Sequence, residues 1–302
     1  MTASPVQTAP GKPVPALADY LAARPAVLKR GPVAMILFED LAAVGPTLDH
    51  ALARGFRLIL ALSPEPLALP PHLAGETRVV NLIHDTRRPD AHVPAVNALI
   101  EAVPAGTWLH YGFNAEFLFY PFCETRSVGE LLAFHAEERR DAMLGYVLDL
   151  YAPDLASHPD AVDLDGAMFD RSGYFALGRK KPVGDGYEER QLNFHGGLRW
   201  RFEEHIPADR RRIDRIALFK AAPGLRVTGD HRFSVEEYNT HSCPWHHSLT
   251  CAVASFRVAK ALLRNPMSRD RIDSFQWRNS TRFDWQGQQL MDLGLMEPGQ
   301  WF

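Results

Sequence analysis

The sequence has only three cysteines, Cys123, Cys243 and Cys251. That odd, small number excludes a disulfide framework and fits reduced thiols in a reducing compartment. It has no surplus of positive charge: 33 Lys and Arg against 36 Asp and Glu leave a formal net charge of −3. So neutral a chain is not built to neutralise phosphates along a nucleic acid, and no nucleic-acid partner is expected. No apolar run approaches the roughly 20 residues that cross a bilayer, and the N-terminus lacks the basic-then-apolar order of a secretory signal. The expected compartment is therefore the cytoplasm, with no membrane span. Internal repeats are absent too. What is present is 46% hydrophobic and 23% charged residues over 302 positions, an ordinary globular composition with enough chain for one large α/β domain or two small ones.

Six prolines fall within the first 32 residues, four of them among small and polar neighbours, so residues 1 to about 15 are expected to form a flexible tail. From Val33 the run VAMILF is short, apolar and bounded by Gly31-Pro32 and Glu39-Asp40, the pattern of a buried strand. LAAVGPTLDHALARGF then carries Leu41, Val44, Leu48 and Leu52 at helical spacing and stops at Gly55, before the strand-like RLILAL. TRVVNLI, AHVPAVNALIEAV and TWLHYGF repeat the strand, helix, strand order, which predicts a parallel nucleotide-binding type of sheet over the first 120 residues. Beyond Tyr120 the alternation weakens. SVGELLAFHAEERRDA predicts a helix whose Ser127 and Glu130 form a capping box. AMLGYVLDLYAP, GGLRWRF and IALFKA read as extended, residues 152 to 195 as surface loops around short elements, CAVASFRVAKALL as a helix, and the last 30 residues, with Trp277, Trp285 and Trp301, as an ordered packing tail.

Ligands bind at the carboxyl ends of parallel strands. There the sequence sets Glu39 and Asp40 after the first strand, His84 and Asp85 after TRVVNLI, and Asn114 and Glu116 after TWLHYGF. Such groups suit a ribose and base, or a hard cation; singly, each also suits a helix cap or a solvated turn. Farther on, His231, His241, Cys243, His246, His247 and Cys251 supply donors able to hold zinc, without the paired spacing that marks a zinc motif; loop histidines packed on Trp245 are the alternative.

Several segments, in one order from about residue 33 to 262, resemble divergent family 2 glycosyltransferases. TWLHYGFNAEFLFYP resembles the segment in which a strand of that family ends in Asp-x-Asp-Glu-Phe-Leu, and HVPAVNALIEAVPAGTWL resembles the helix ahead of it. YVLDLYAP, HGGLRWRF, RIALFKAAPGLRVTGDHR and CAVASFRVAKAL resemble the later strand, the Gly-Gly-x-Arg-x-Arg segment, the Lys-then-His stretch and the closing helix. The resemblance implies an α/β protein of GT-A fold: a single domain over 16–302, with a mostly parallel nucleotide-binding half at 33–120, an acceptor half at 121–262 and a packing tail at 263–302. It implies a transferase that moves a sugar from a nucleotide diphosphate donor to a carbohydrate or glycoconjugate hydroxyl, with inversion.

The sequence departs from that family where its metal sits. The two aspartates that hold Mn²⁺ or Mg²⁺ against the diphosphate correspond to Phe113 and Ala115, with Asn114 between them, while Glu116, Phe117 and Leu118 match. One amide is a poor substitute for two carboxylates at a hard cation, so no metal ligand is assigned. Arg199, Arg201, Lys220 and Arg232 are the cations that could take the metal's place beside a leaving diphosphate. The family's histidine before the closing helix falls on Leu249, with His247 two residues earlier. The implied site therefore has Glu39, Asp40, Asp85, Asn114 and Arg199 on the donor, and His231, Glu116 and Lys220 in catalysis. His231 serves as a general base, with Asp149 and Asp230 as the carboxylate alternatives. A protein of this fold that lost the metal carboxylates and kept only nucleotide or glycan binding is the competing class.

Overall fold

The computed structural model describes residues 13–240 and 248–301. In chain order its helices are α1 (Leu17–Ala22), α2 (Val44–Arg54), α3 (His92–Ala102), α4 (Val128–Glu137), α5 (Gly197–Arg201), α6 (Arg257–Arg264), α7 (Pro266–Arg269) and α8 (Gly287–Asp292). Its strands are β1 (Val33–Leu37), β2 (Leu58–Ser63), β3 (Val79–Ile83), β4 (Trp108–Phe113), β5 (Glu116–Phe119), β6 (Ala142–Tyr151), β7 (Met168–Asp170), β8 (Phe175–Lys180), β9 (Tyr187–His195), β10 (Asp214–Lys220), β11 (Cys251–Ser255) and β12 (Ser280–Arg282). The architecture is mixed α/β with a largely parallel sheet, and no helix among the described residues is long and apolar enough to cross a membrane. The chain divides into two compact units, each discontinuous in sequence.

The first unit holds residues up to Asn114, Arg126–Ala142 and Ala217–Tyr238. Its strands lie in the order β3-β2-β1-β4-β10. The first four are parallel, and β10 runs antiparallel to β4, with Leu218 opposite His110 and Lys220 opposite Trp108. β1 and β2 are buried at every position, the signature of strands covered on both faces, and for that reason the sequence shows no alternation there. α2 ends at Gly55 in the left-handed region, φ 92°, where glycine carries no steric penalty. Leu41 stays outside that helix and is exposed. At α4 the capping box forms as expected: the Ser127 N–H donates to Glu130 Oε2 at 2.7 Å and the Glu130 N–H to Ser127 Oγ at 3.4 Å. At the boundary of the expected tail, the Ile83 N–H donates to Pro15 O at 2.9 Å, and Ala16 bridges to Ile83 along the edge of β3.

The second unit holds Ala115–Thr125, Met143–Ile216 and the described residues from Asn239 on. Here β11 lies between β5, to which it is antiparallel, and β6, to which it is parallel, and β7 and β12 continue beyond β6. β8 and β9 form a separate hairpin. Two expectations need correction. CAVAS is a strand and the helix begins only at Arg257, because residues 251–255 bond on both sides to β5 and β6. GGLRWRF is not extended: Gly196 (φ 151°) and Gly197 (φ 61°) turn the chain sharply after β9, and α5 follows. Leu198 of α5 then packs into a core with Leu262 of α6 and Phe275.

Candidate functional site

In the first unit the chain fills β1, β2 and β3 in one direction and then returns to place β4 on the other side of β1. The carboxyl ends of β1 and β4 are therefore the switch point at which ligands of open α/β sheets bind. Residues 38–42 leave β1 there, held from both sides. The Thr86 hydroxyl, arriving from β3, donates to Phe38 O at 2.6 Å. From β4, Asn114 accepts the Glu39 N–H at Oδ1 (3.0 Å) and donates from Nδ2 to Asp40 Oδ1 (2.6 Å) and Ala42 O (3.0 Å). Asp40 Oδ1 also accepts the Ala42 N–H at 2.9 Å. Glu39 and Asp40 remain partly exposed, whereas Asn114 has no exposed surface. Asn114 is thus the tie that presets the loop. Asp85 lies exposed beyond β3, and its Oδ1 accepts the Arg87 N–H at 3.3 Å.

His231 reaches the same end of the sheet on a loop that Asn97 of α3 grips at Val227, accepting its N–H (2.8 Å) and donating to its O (3.1 Å). The ring stacks on His92 at 4.4 Å between centroids and meets Phe113 edge-on at 6.5 Å. Its Nδ1 lies 2.9 Å from Tyr111 Oη. His231 is half-buried, so an imidazole of fixed orientation keeps contact with solvent. Asp230 and Arg232 beside it bond to each other, Nε to Oδ2, at 2.5 Å. His92 and Tyr111 are members of this cluster that the sequence reading missed; the signal was there, since Tyr111 and Phe113 alternate toward one face of β4.

Lys220 is elsewhere. Its register opposite Trp108 sets it at the amino end of β4, about 20 Å along the strand from Asn114. There its Nζ pairs with Asp141 Oδ1 at 2.7 Å and lies 5.2 Å from the Trp108 ring centroid. The structure does not bring it to His231, because β10 runs antiparallel to β4.

The other expected residues belong to the second unit and lie in buried ion pairs. Glu116 accepts from Arg215 at 2.7 and 3.4 Å and from the Ser255 hydroxyl at 3.0 Å. Arg199 meets Asp149 through its backbone N–H (3.3 Å) and Nε (3.4 Å), and donates from Nη1 to Arg212 O at 2.6 Å. Asp149 is fully enclosed, and burial pushes its carboxyl up to about 6 against the pull of Arg199. Arg201, two residues on in α5, points to a different carboxylate: Asp170 accepts from Arg201, Tyr151 Oη (2.6 Å) and Trp277 Nε1 (2.7 Å). A strand would have sent both arginines to one side; the helix turns them to different partners. Between them Trp200 is exposed, edge-on to Phe175 and Trp277 at 6.4 Å each.

Residues 113 to 115 do not fit a hard cation. Position 113 carries a buried phenyl ring and position 115 a buried methyl group, while the Asn114 amide is committed to Glu39, Asp40 and Ala42. Among the described residues no cluster of three or more His, Cys, Asp or Glu has metal-binding geometry. His241, Cys243, Trp245, His246 and His247 lie outside the described residues; Leu249 is buried. No protein-family model matches the chain, and no curated protein matches it.

Proposed function

We propose that the chain is a GT-A-type glycosyltransferase that works without a divalent cation, taking a nucleotide diphosphate sugar and a carbohydrate or glycoconjugate hydroxyl. The observation that carries this reading is the preset loop 38–42 at the switch point between β1 and β4, with Glu39 and Asp40 partly exposed on it and the oriented imidazole of His231 at the same end of the sheet. The segment resemblances support it from the sequence side. Glu39, Asp40 and Asp85 would contact ribose and base. In the reaction the acceptor oxygen attacks the anomeric carbon, the bond to the diphosphate breaks and leaves its electron pair there, and the hydroxyl proton passes to His231 Nε2. For that, Nδ1 carries a proton and donates to Tyr111 Oη, which makes Tyr111 a positioning residue.

The enclosure of Asn114 and the hydrocarbon side chains at 113 and 115 favour a second reading, a nucleotide- or glycan-binding protein without turnover. Titration with nucleoside diphosphates and a panel of nucleotide sugars, with Mn²⁺ or EDTA, followed by hydrolysis and transfer assays, separates the two. The first reading expects donor binding that survives EDTA, and turnover that falls roughly 10²–10⁴-fold in His231→Ala with donor affinity kept. Binding without turnover selects the second reading; no nucleotide binding at all refutes the first and leaves of the second only its glycan-binding form.

A further inference from the structure

The opposite end of the first unit's sheet carries a cavity of about 510 Å³, a volume typical of small-molecule sites. It is lined where the chain enters β1, β2 and β4, and by the face of α4. Its floor is apolar, with Pro32 and Leu132 buried and Trp108 half-buried. Its polar groups are unspent. Lys29 and Arg57 line it, and neither side chain has an ion-pair or hydrogen-bond partner among the described residues. Thr107 is nine-tenths buried, and its hydroxyl makes no hydrogen bond there either. The lining contains no Asp or Glu, so the two cations leave a positive potential. Lys220, over the Trp108 ring, is already neutralised by Asp141.

The walls are fixed by the backbone. The Arg57 N–H donates to Pro32 O at 3.0 Å, and Gly106, Thr107 and Ala221 exchange two bonds of 2.8 Å. At Gly31 an added Cβ would come within 3.0 Å of Thr107 Cγ2 and 3.1 Å of Trp108 O, so the chains pass closely there and a side chain would have to push its neighbours aside. A site formed in advance loses little entropy on binding.

We propose that this cavity is a second ligand site, for a small organic anion: a ring or other apolar body against Trp108, Pro32 and Leu132, with one phosphate or carboxylate group on Lys29, Arg57 and the Thr107 hydroxyl. It lies a strand's length, about 17–20 Å, from the loop 38–42 and does not depend on the proposed transferase chemistry.

Calorimetric titration of the full chain with phenyl phosphate, benzoate and inorganic phosphate tests it. Phenyl phosphate or benzoate should bind at least about tenfold more tightly than inorganic phosphate, and whichever is tighter identifies the anionic group. Lys29→Ala and Arg57→Ala should each weaken that ligand about tenfold. Thr107→Val keeps shape and should weaken it severalfold, and Ala133→Trp, which fills the cavity, should abolish binding with the melting temperature unchanged. Nucleotide-sugar titration of Lys29→Ala/Arg57→Ala should match wild type, so failure here is distinguishable from failure of the transferase reading. Absence of binding by both ring anions, binding unchanged in the two charge variants, or inorganic phosphate binding as tightly as the tighter of the two ring anions would overturn the proposal.

Discussion

Replacing Arg199 by alanine strips the Asp149 carboxylate of its ion-pair partner where water does not reach it: the side chains of Asp149 and Arg199 are 0% and 14% exposed. Losing one member of such a pair costs about 3–5 kcal/mol, because the other charge stays buried and uncompensated. At about 2–4 °C per kcal/mol, Arg199→Ala should melt on the order of 10 °C below wild type near pH 7. The sign of the pH dependence follows from Asp149. Its carboxyl titrates at about 6 in the folded chain against an ordinary 3.8, so the native state holds the proton more tightly. This group therefore favours folding below about pH 4, and that contribution, about 3 kcal/mol, is lost as pH rises through 6. Without Arg199 the folded titration moves higher still. The penalty of the variant should be largest at pH 7 and shrink toward pH 4.5, and Asp149→Asn/Arg199→Ala should recover most of it. Thermal melts of the three proteins from pH 4.5 to 7.5 measure this. A variant with wild-type melting temperatures that had lost a bound nucleotide sugar would refute the reasoning and return Arg199 to ligand contact.

Three further outcomes are expected. His135 of α4 is buried beside Trp108 with both ring nitrogens lacking a hydrogen-bond partner, and burial, aided by Arg140 and Lys220, lowers it to about 4. The unfolded chain takes up its proton first, so about 3 kcal/mol of stability present above pH 6.5 should be lost as pH falls toward 4. His135→Leu should flatten that limb in urea melts, and an unchanged limb would exclude His135 as its source. Gly196→Ala drives a Cβ into the Tyr174 ring at a backbone angle that side chains rarely adopt, and should cost about 2–5 kcal/mol by chemical denaturation; a loss under 1 kcal/mol would mean the turn is loose. Asn114→Ala leaves the Glu39 N–H and Ala42 O without this amide. It should cost about 2–4 kcal/mol and weaken any nucleotide, whereas wild-type stability would show that the loop does not need its tie.

The strands β1 to β4, the helices α2 and α3 and the start of α4 were legible because each is specified by its own residues: continuous apolar runs for β1 and β2, helical spacing closed by Gly55 for α2, Ser127 and Glu130 for the start of α4; α1 and β5 were not read from the sequence. Local pattern misled where a segment's partners lie far away. CAVAS is a strand only because β5 and β6 lie on both sides of it. HGGLRWRF alternates like a strand, yet its two glycines turn it into α5. The candidate site divides in the same way. Which side chains follow the strands was written in the sequence, and so the loop at Glu39 and Asp40 and the arrival of His231 were within reach. Which of those groups remain available to a ligand was decided by pairings across 50 to 99 residues, Arg199 with Asp149 and Arg215 with Glu116, and by the reversal of β10 that carries Lys220 to the far end of β4. A sequence fixes periodicity and punctuation residue by residue; whether a charged or amide group is spent inside the protein depends on which distant group folding sets beside it.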